Sequence, residues 1–277
     1  MQLLGRNKIL DLSTPKVMGI LNVTPDSFSD GGFFSDIDKA LQQAAKMVEQ
    51  GAAIIDVGGE STRPGASDVP LAKELDRVIP IIEKINANLD CWISIDTSKA
   101  QVMREAVNAG AHLINDVRAL NEDGALAAAA DANVPVCLMH MQGAPRSMQA
   151  APGYGNLIED VKRFLLQRVA ACNAAGIKKE NIILDLGFGF GKRLAHNFQL
   201  LQATDQFVAL GYPVLTGISR KSMFGQLLNR DINNRLAGSL AGALIALQQG
   251  SQILRVHDVA ETVDVIKVLQ EVNLFKK

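Results

Sequence analysis

Apolar residues in this chain fall into short continuous runs, separated by longer stretches with helical spacing. The runs are Val17–Leu21, Ala53–Val57, Cys91–Ile95, His112–Ile114, Val134–Met139, Ile182–Leu186, Val214–Ile218 and Ile253–Val256. They are rich in β-branched residues and lack polar alternation, the pattern of strands covered on both faces. Between them, Ile37, Leu41, Ala44, Ala45 and Val48 mark one helix, stopped by Gly51 as a C-terminal cap would stop it. Val78, Ile81, Ile82 and Ile85 mark a second, with a kink expected at Pro80. Val102, Met103, Ala106 and Val107 mark a third, ended by Gly110, and Ala125–Ala130 a short fourth. Val161, Phe164, Leu165, Val169 and Cys172 mark a long fifth, ended by Gly176. Leu200, Leu201, Phe207 and Val208 continue the series, and Met223–Leu228 and Leu236–Leu247 share the next interval. Val263, Ile266, Val268 and Leu269 close the chain, and Met1–Pro15 reads as a short β-like lead-in.

Eight such strands alternating with helices predict an α/β fold, a closed (β/α)8 TIM barrel. An open doubly wound sheet is the alternative if the fourth and fifth runs are not strands. No linker, low-complexity tract or shift of composition divides the chain, so residues 1–277 are expected to form a single domain.

Composition narrows the class. The length of 277 residues suits one barrel, and the apolar fraction of 48% is ample for its core. A net charge of -1 argues against nonspecific nucleic-acid binding and against a membrane-surface role. Cys91, Cys137 and Cys172 are an odd number with no metal-type spacing. Cys91 and Cys137 sit in apolar runs, which predicts buried, reduced thiols. The N-terminus lacks the apolar core of a signal peptide, and no run is long enough to span a bilayer. A soluble cytoplasmic protein is expected.

A barrel's chemistry sits at the carboxyl ends of its strands. Those positions hold Asn22, Asp56, Asp96, Asn115 with Asp116, His140, Asp185, Ser219-Arg220-Lys221-Ser222, and Arg255 with His257. Each alone is explained by a turn or a helix cap. Together they converge on one mouth. Asp96, Asn115 and Asp185 are acceptors, with one amide that also donates. They suit a ligand rich in N–H groups, such as an amino-pyrimidinone ring, and they also suit a hard cation. Arg63, Arg255 and His257, with Lys221, form a local positive field. The segment Asp56-Val57-Gly58-Gly59-Glu60-Ser61-Thr62-Arg63-Pro64-Gly65 adds backbone amides and hydroxyls, a phosphate-receiving set. The first strand-end loop, Asn22–Gly32, is longer than a connector and carries two carboxylates, three hydroxyls and an aromatic ring. Gly187-Phe188-Gly189-Phe190-Gly191-Lys192 has the wrong spacing for a dinucleotide loop and no P-loop pattern. It reads as backbone brought close to a ligand, with Phe190 available for stacking.

These stretches, in order and over nearly the whole chain, resemble the bacterial dihydropteroate synthase family of pterin-binding barrels. The resemblance rests on Asn22–Gly32, Asp56–Gly65, Ile93–Thr97, Ile114–Asp116, Met139–Met141, Asp185 with Gly187–Lys192, Ser219–Ser222 and Arg255–Asp258. It implies a transferase of folate biosynthesis, usually a homodimer. The implied reaction joins 6-hydroxymethyl-7,8-dihydropterin diphosphate to 4-aminobenzoate, giving 7,8-dihydropteroate and pyrophosphate, with sulfonamides competing for the second substrate. By position, Asp96, Asn115, Asp185 and Lys221 would hold the pterin and Arg255 would pack on its ring. Asn22 would help hold Mg2+ on the diphosphate, with Thr62, Arg63, Arg255 and His257 around the phosphates. Phe28, Thr62, Arg63, Pro64, Phe190, Lys221 and Ser222 would surround the aminobenzoate. Asp30, Asp96 and Lys221 are the expected catalytic groups. Leu186 departs from the family's usual proline and leaves Asp185 less constrained. The first two strand-end loops are expected to close over the diphosphate. The competing readings are a pterin barrel that transfers a methyl group, a Schiff-base aldolase using Lys221, and a noncatalytic pterin-binding protein.

Overall fold

The computed structural model describes residues 1–23, 33–61, 68–143, 148 and 152–274. A two-stranded antiparallel hairpin comes first, β1 Gln2–Gly5 and β2 Lys8–Asp11. Eight parallel strands follow: β3 Lys16–Asn22, β4 Ile54–Gly58, β5 Trp92–Asp96, β6 Leu113–Asp116, β7 Val136–Met139, β8 Ile182–Asp185, β9 Val214–Thr216 and β10 Ile253–Val256. They close into a barrel in the order β10-β3-β4-β5-β6-β7-β8-β9. The closed barrel is the expected fold, and the open sheet is excluded. The helices are α1 Phe33–Glu49, α2 Leu71–Asn88, α3 Ala100–Ala109, α4 Ala125–Ala132, α5 Leu157–Ala174, α6 Leu194–Gln202, α7 Thr204–Val208, α8 Ser222–Leu228, α9 Leu236–Gln248 and α10 Val259–Leu274. α2 is one helix that contains Pro80, the position of the expected kink. No helix among the described residues is long and apolar enough to cross a membrane.

Side chains alternate in direction along a strand, and this sorts the core into two parts. Val17, Ile55, Val57, Ile93, Ile95, Ile114, Val136, Leu138, Ile182, Leu184, Val214 and Leu254 point outward into the layer shared with the helices. The opposite parity gives Met18, Ile54, Trp92, Leu113, Cys137, Ile183, Leu215 and Ile253, one from each strand, packed together inside the barrel. Leu3, Leu10 and Leu12 of the hairpin segment join that inner cluster. Arg6 ties the hairpin to the Val107 carbonyl at 2.7 Å, and Lys8 reaches the Cys91 carbonyl at 3.0 Å. The lead-in therefore plugs the amino-terminal end of the barrel. All three cysteines are buried and free.

Two residues beyond the apolar layer, the same parity changes chemistry. Ile54 is followed by Asp56, Leu113 by Asn115, Ile183 by Asp185 and Ile253 by Arg255. On β5 the sequence is Trp92, Ser94, Asp96. An apolar floor thus carries a polar ceiling, all at the carboxyl ends of the strands.

Leu3 is fully buried at the opposite end from this polar layer. Leu3→Ala should cost about 3 kcal/mol, the usual range for emptying a well-packed leucine site. The measurement is the urea unfolding midpoint, and turnover per folded molecule should be unchanged.

Candidate active site

Arg255 on β10 lies at the centre of the mouth. Its Nε donates to Asp56 Oδ2 at 2.6 Å and its Nη2 to Asp96 Oδ2 at 2.7 Å. Asn115 Nδ2 donates to the same Asp56 oxygen at 3.2 Å. One cation thus ties β10 to β4 and β5, and one amide ties β6 to β4. Asp56 is fully buried, and its other oxygen, Oδ1, has no hydrogen-bond partner among the described residues. Burial pushes the Asp96 carboxyl up to about 7, with Arg255 opposing and Asp56 adding to the rise. Burial also works against the charge on Arg255, but Asp56 and Asp96 outweigh it and raise its pKa further.

Asp185 closes the far side of the ring. Burial raises its pKa, against the opposing pull of Lys221 and a hydrogen bond from the Gly187 amide to Oδ1 at 2.7 Å. That amide restrains the carboxylate even though Leu186, not proline, lies between them. A β-carbon on Gly217 would stand 3.8 Å from Arg255 Cβ and 4.0 Å from Asp185 Oδ2. The absent side chain leaves open the space between the two groups. Lys221 precedes α8, and its Nζ donates to the Phe188 carbonyl and lies 4.7 Å from the centre of the Phe190 ring. Burial pushes its pKa down to about 8, with Asp185 opposing. Ser222 begins α8 and is exposed. His257 follows β10 and is also exposed, and its backbone N–H and Nδ1 both meet Ser219 Oγ at 3.2 Å.

Asn22 ends β3 and faces Asp96 across Gly58. A β-carbon there would lie 3.7 Å from Asn22 Oδ1 and 3.8 Å from Asp96 Oδ2. No cluster of three acidic, histidine or cysteine side chains able to hold a metal occurs among the described residues. Beside Asp96 opens a cavity of about 470 Å3 whose lining includes Glu60, Thr97, Lys99 and Arg118. Buried Glu74 accepts from Thr97 Oγ1 at 2.5 Å and from Lys99, which also pairs with Glu60. This network anchors the backbone from which residues 62–67 continue.

Asp96, Asn115, Asp185, Lys221, Phe190 and Arg255 are thus gathered at one mouth, with Asn22 at its edge and Ser222 and His257 at its rim. Phe28, Asp30, Thr62, Arg63 and Pro64 lie outside the described residues, as does the loop expected to close. Three other strand-end groups serve structure. Asp116 has the outward parity and accepts from Ser98 and from the amides of Arg118 and Leu120. Arg220 pairs with Asp258. His140 is buried against Lys192, their Nδ1 and Nζ 2.9 Å apart. Asp56 was visible as a strand-end carboxylate but carried no role. The signal that would have assigned one is its parity with Ile54.

A buried ring of acceptors with inward-pointing cations, at the carboxyl end of a (β/α)8 barrel, defines a barrel with a polar small-molecule site at its mouth. Residues 18–257 match the pterin binding enzyme family, and the chain belongs to that family. Within it the chain groups with the dihydropteroate synthases, transferases of folate biosynthesis. It is 59% identical to the dihydropteroate synthase of Haemophilus influenzae, over 98% of each chain. The Escherichia coli K12 enzyme is 54% identical, over 98% of this chain and 96% of its own. A Yersinia pestis dihydropteroate synthase in a sulfonamide drug complex superposes with a TM-score of 0.94 at 54% identity, covering 99% of this chain and 100% of its own. The Xanthomonas albilineans dihydropteroate synthase with 4-aminobenzoic acid gives 0.93 at 50% identity, covering 98% of both.

Arg255→Met should leave Asp56 and Asp96 buried without their cation and destabilise the protein by about 3–5 kcal/mol near neutral pH. The gap should narrow on acidification. Without the guanidinium the native Asp96 carboxyl holds its proton to still higher pH, so falling pH favours the native variant. Urea unfolding at pH 5.5 and 7.5 reads both effects.

Proposed function

We propose that the chain condenses 6-hydroxymethyl-7,8-dihydropterin diphosphate with 4-aminobenzoate, releasing pyrophosphate and 7,8-dihydropteroate. The observation that carries this reading is the ring of Asp96, Asn115 and Asp185 around Arg255 and Lys221. The two buried carboxylates accept from the N–H edge of the pterin, Asn115 donates and accepts, and Lys221 donates to a ring heteroatom. Arg255 offers its guanidinium to the ring face and to the phosphates, joined by His257 at the rim and by Thr62 and Arg63.

The bond that breaks joins the exocyclic pterin carbon to the diphosphate oxygen, and its electron pair leaves with the diphosphate. The electron-rich pterin spreads the positive charge left on that carbon. The amine lone pair of 4-aminobenzoate then forms the new C–N bond, and the amine loses a proton to solvent or to the departing diphosphate. No covalent enzyme intermediate is needed. Asp96 holds the ring on which charge develops, and Lys221 stands where the pterin site meets the aminobenzoate site. Asp30 assists cation formation. Phe28, Pro64, Phe190 and Ser222 surround the second substrate, and sulfonamides compete there.

The family implies Mg2+. Asn22 offers one neutral amide oxygen beside the Asp96 carboxylate across Gly58. This fits a hard cation that arrives on the diphosphate and keeps most of its water and phosphate ligands. Bound there, Mg2+ would neutralise charge on the leaving group. We further propose one domain over residues 1–277, a cytoplasmic location, and a homodimer through α9 and α10, where Ile245 and Val268 are exposed.

The deciding assay is pyrophosphate release. It should require both substrates and Mg2+, and release from the pterin diphosphate alone at the same rate would overturn the reading. The pH profile of kcat/KM for the pterin diphosphate should be a bell centred between about 7 and about 8. Below the lower limb Asp96 holds a proton and can no longer accept two N–H bonds from the ring. Above the upper limb Lys221 loses the proton it donates. Asp96→Asn should remove the acid limb.

A further inference from the structure

The Gly187–Gly191 loop is held from behind by a lysine that the reaction does not use. Lys192 is almost wholly buried. Its Nζ lies 2.9 Å from His140 Nδ1, 2.8 Å from the Gly187 carbonyl, 3.1 Å from the Phe190 carbonyl and 3.3 Å from the His140 carbonyl. Four acceptors around one nitrogen suit a lysine amino group, whose N–H donors are shared among them. The His140 ring is fixed in turn by an edge-on contact with Phe164, centroids 5.0 Å apart.

The loop cannot relax toward that lysine. Gly187 and Gly191 have φ of +67° and +63°. A β-carbon on them would lie 1.8 Å from the His140 carbonyl oxygen and 2.3 Å from the Gln142 carbonyl oxygen. Tyr154 Oη donates to the Gly191 carbonyl at 2.7 Å, and the Gly189 amide donates to Asn197 Oδ1 at 2.6 Å. The loop's backbone is therefore tied down from the protein side. What it presents to the site is the Phe188 carbonyl and the Phe190 ring, and Lys221 rests on both. Two lysines thus grip one glycine-rich loop from opposite faces. Burial pushes the Lys192 pKa well below the usual lysine range, and Asp185, on the strand before it, opposes that fall.

We infer that Lys192 is a positioning residue: its buried amino group fixes the loop that sets Phe190 and Lys221 against the second substrate. The inference rests on the function proposed above, which places 4-aminobenzoate beside Phe190. Asp96 and Asn115 are carried by strands that Lys192 does not touch, whereas Asp185 and Lys221, which also hold the pterin, border the loop. Losing Lys192 should therefore act on the aminobenzoate half of the site more than on the pterin half.

The test compares wild type, Lys192→Met, Phe190→Ala and the double variant, as full-length protein. Pyrophosphate release gives the aminobenzoate KM, and calorimetry gives the Kd of the pterin diphosphate. Lys192→Met should raise the aminobenzoate KM about tenfold or more, since a displacement near 1 Å is costly at a reacting site. The pterin Kd should stay within about threefold, and adding Lys192→Met to Phe190→Ala should raise KM by less than about twofold, because the two act through one loop. A lower melting temperature with both constants held, equal losses of both substrates, or effects that multiply in the double variant would each overturn the inference. If Lys192→Met does not fold, His140→Phe keeps the ring contact and removes one acceptor. The same split at smaller size supports the inference, and unchanged constants overturn it. Wild-type protein that releases no pyrophosphate would sink the proposed function, whereas an active wild type with an indifferent Lys192→Met sinks only the positioning role.

Discussion

The ion pair that Arg255 makes with Asp56 and Asp96 is the constraint on which the site depends. A barrel closes by hydrogen bonds between neighbouring strands, and those bonds say nothing about what fills its mouth. Arg255 spans from β10 to β4 and β5, passing over β3, and joins side chains that register alone would leave apart. Removing two carboxylates from water is costly, and a single cation shared between them offsets that cost only while it is held. The same group that steadies the barrel favours ionisation of Asp96, against burial and the neighbouring Asp56, which resist it. Stability and substrate recognition therefore meet in one guanidinium.

The polar layer stands on an apolar one, and each makes the other possible. Inside the barrel, Met18, Ile54, Trp92, Leu113, Cys137, Ile183, Leu215 and Ile253 exclude water beneath the site. That dry floor raises the pKa of Asp185 and lowers that of Lys221, and it strengthens every hydrogen bond made above it. The hairpin closes the floor from below, so the lead-in supports chemistry that occurs at the opposite end.

Much of this was legible in the sequence, and the rest was not for definable reasons. All eight strands were readable because strands buried on both faces are continuous apolar runs, and no competing element has that pattern at that length. Their ends shifted by at most two residues, and β10 not at all. Val134 and Pro135 precede β7, where proline has no amide hydrogen for the ladder, and β9 stops at Thr216 before Gly217. The polar strand ends were visible as well. Which of them faced inward was not, because a continuous apolar run hides its own parity. Only the sorting of Ile54 and Leu113 into the barrel interior separates Asp56 and Asn115 from Asp116. α2 contains Pro80 and still runs as one helix, with Val78, Ile81, Ile82 and Ile85 buried around the proline.

Lys192 was the least legible of all, since nothing in a glycine-rich run tells whether its lysine faces a ligand or the protein. Position in the fold decides it. A loop with three left-handed glycines approaches neighbouring backbone closely, and its carbonyls then need a donor that no side chain within the loop supplies. An amino group brought in from the residue just after the loop answers that need, and no lysine in that cage could also bind substrate. Lys221 answers the opposite need, with one donor spent on Phe188 and a charge that burial disfavours and Asp185 supports. The division between the two lysines follows from the backbone of the loop between them. A rigid strand end can select a ring by its hydrogen-bonding edge, but a second, smaller substrate needs a wall placed after the strands end. In this barrel that wall is a loop whose own sequence cannot hold it in place.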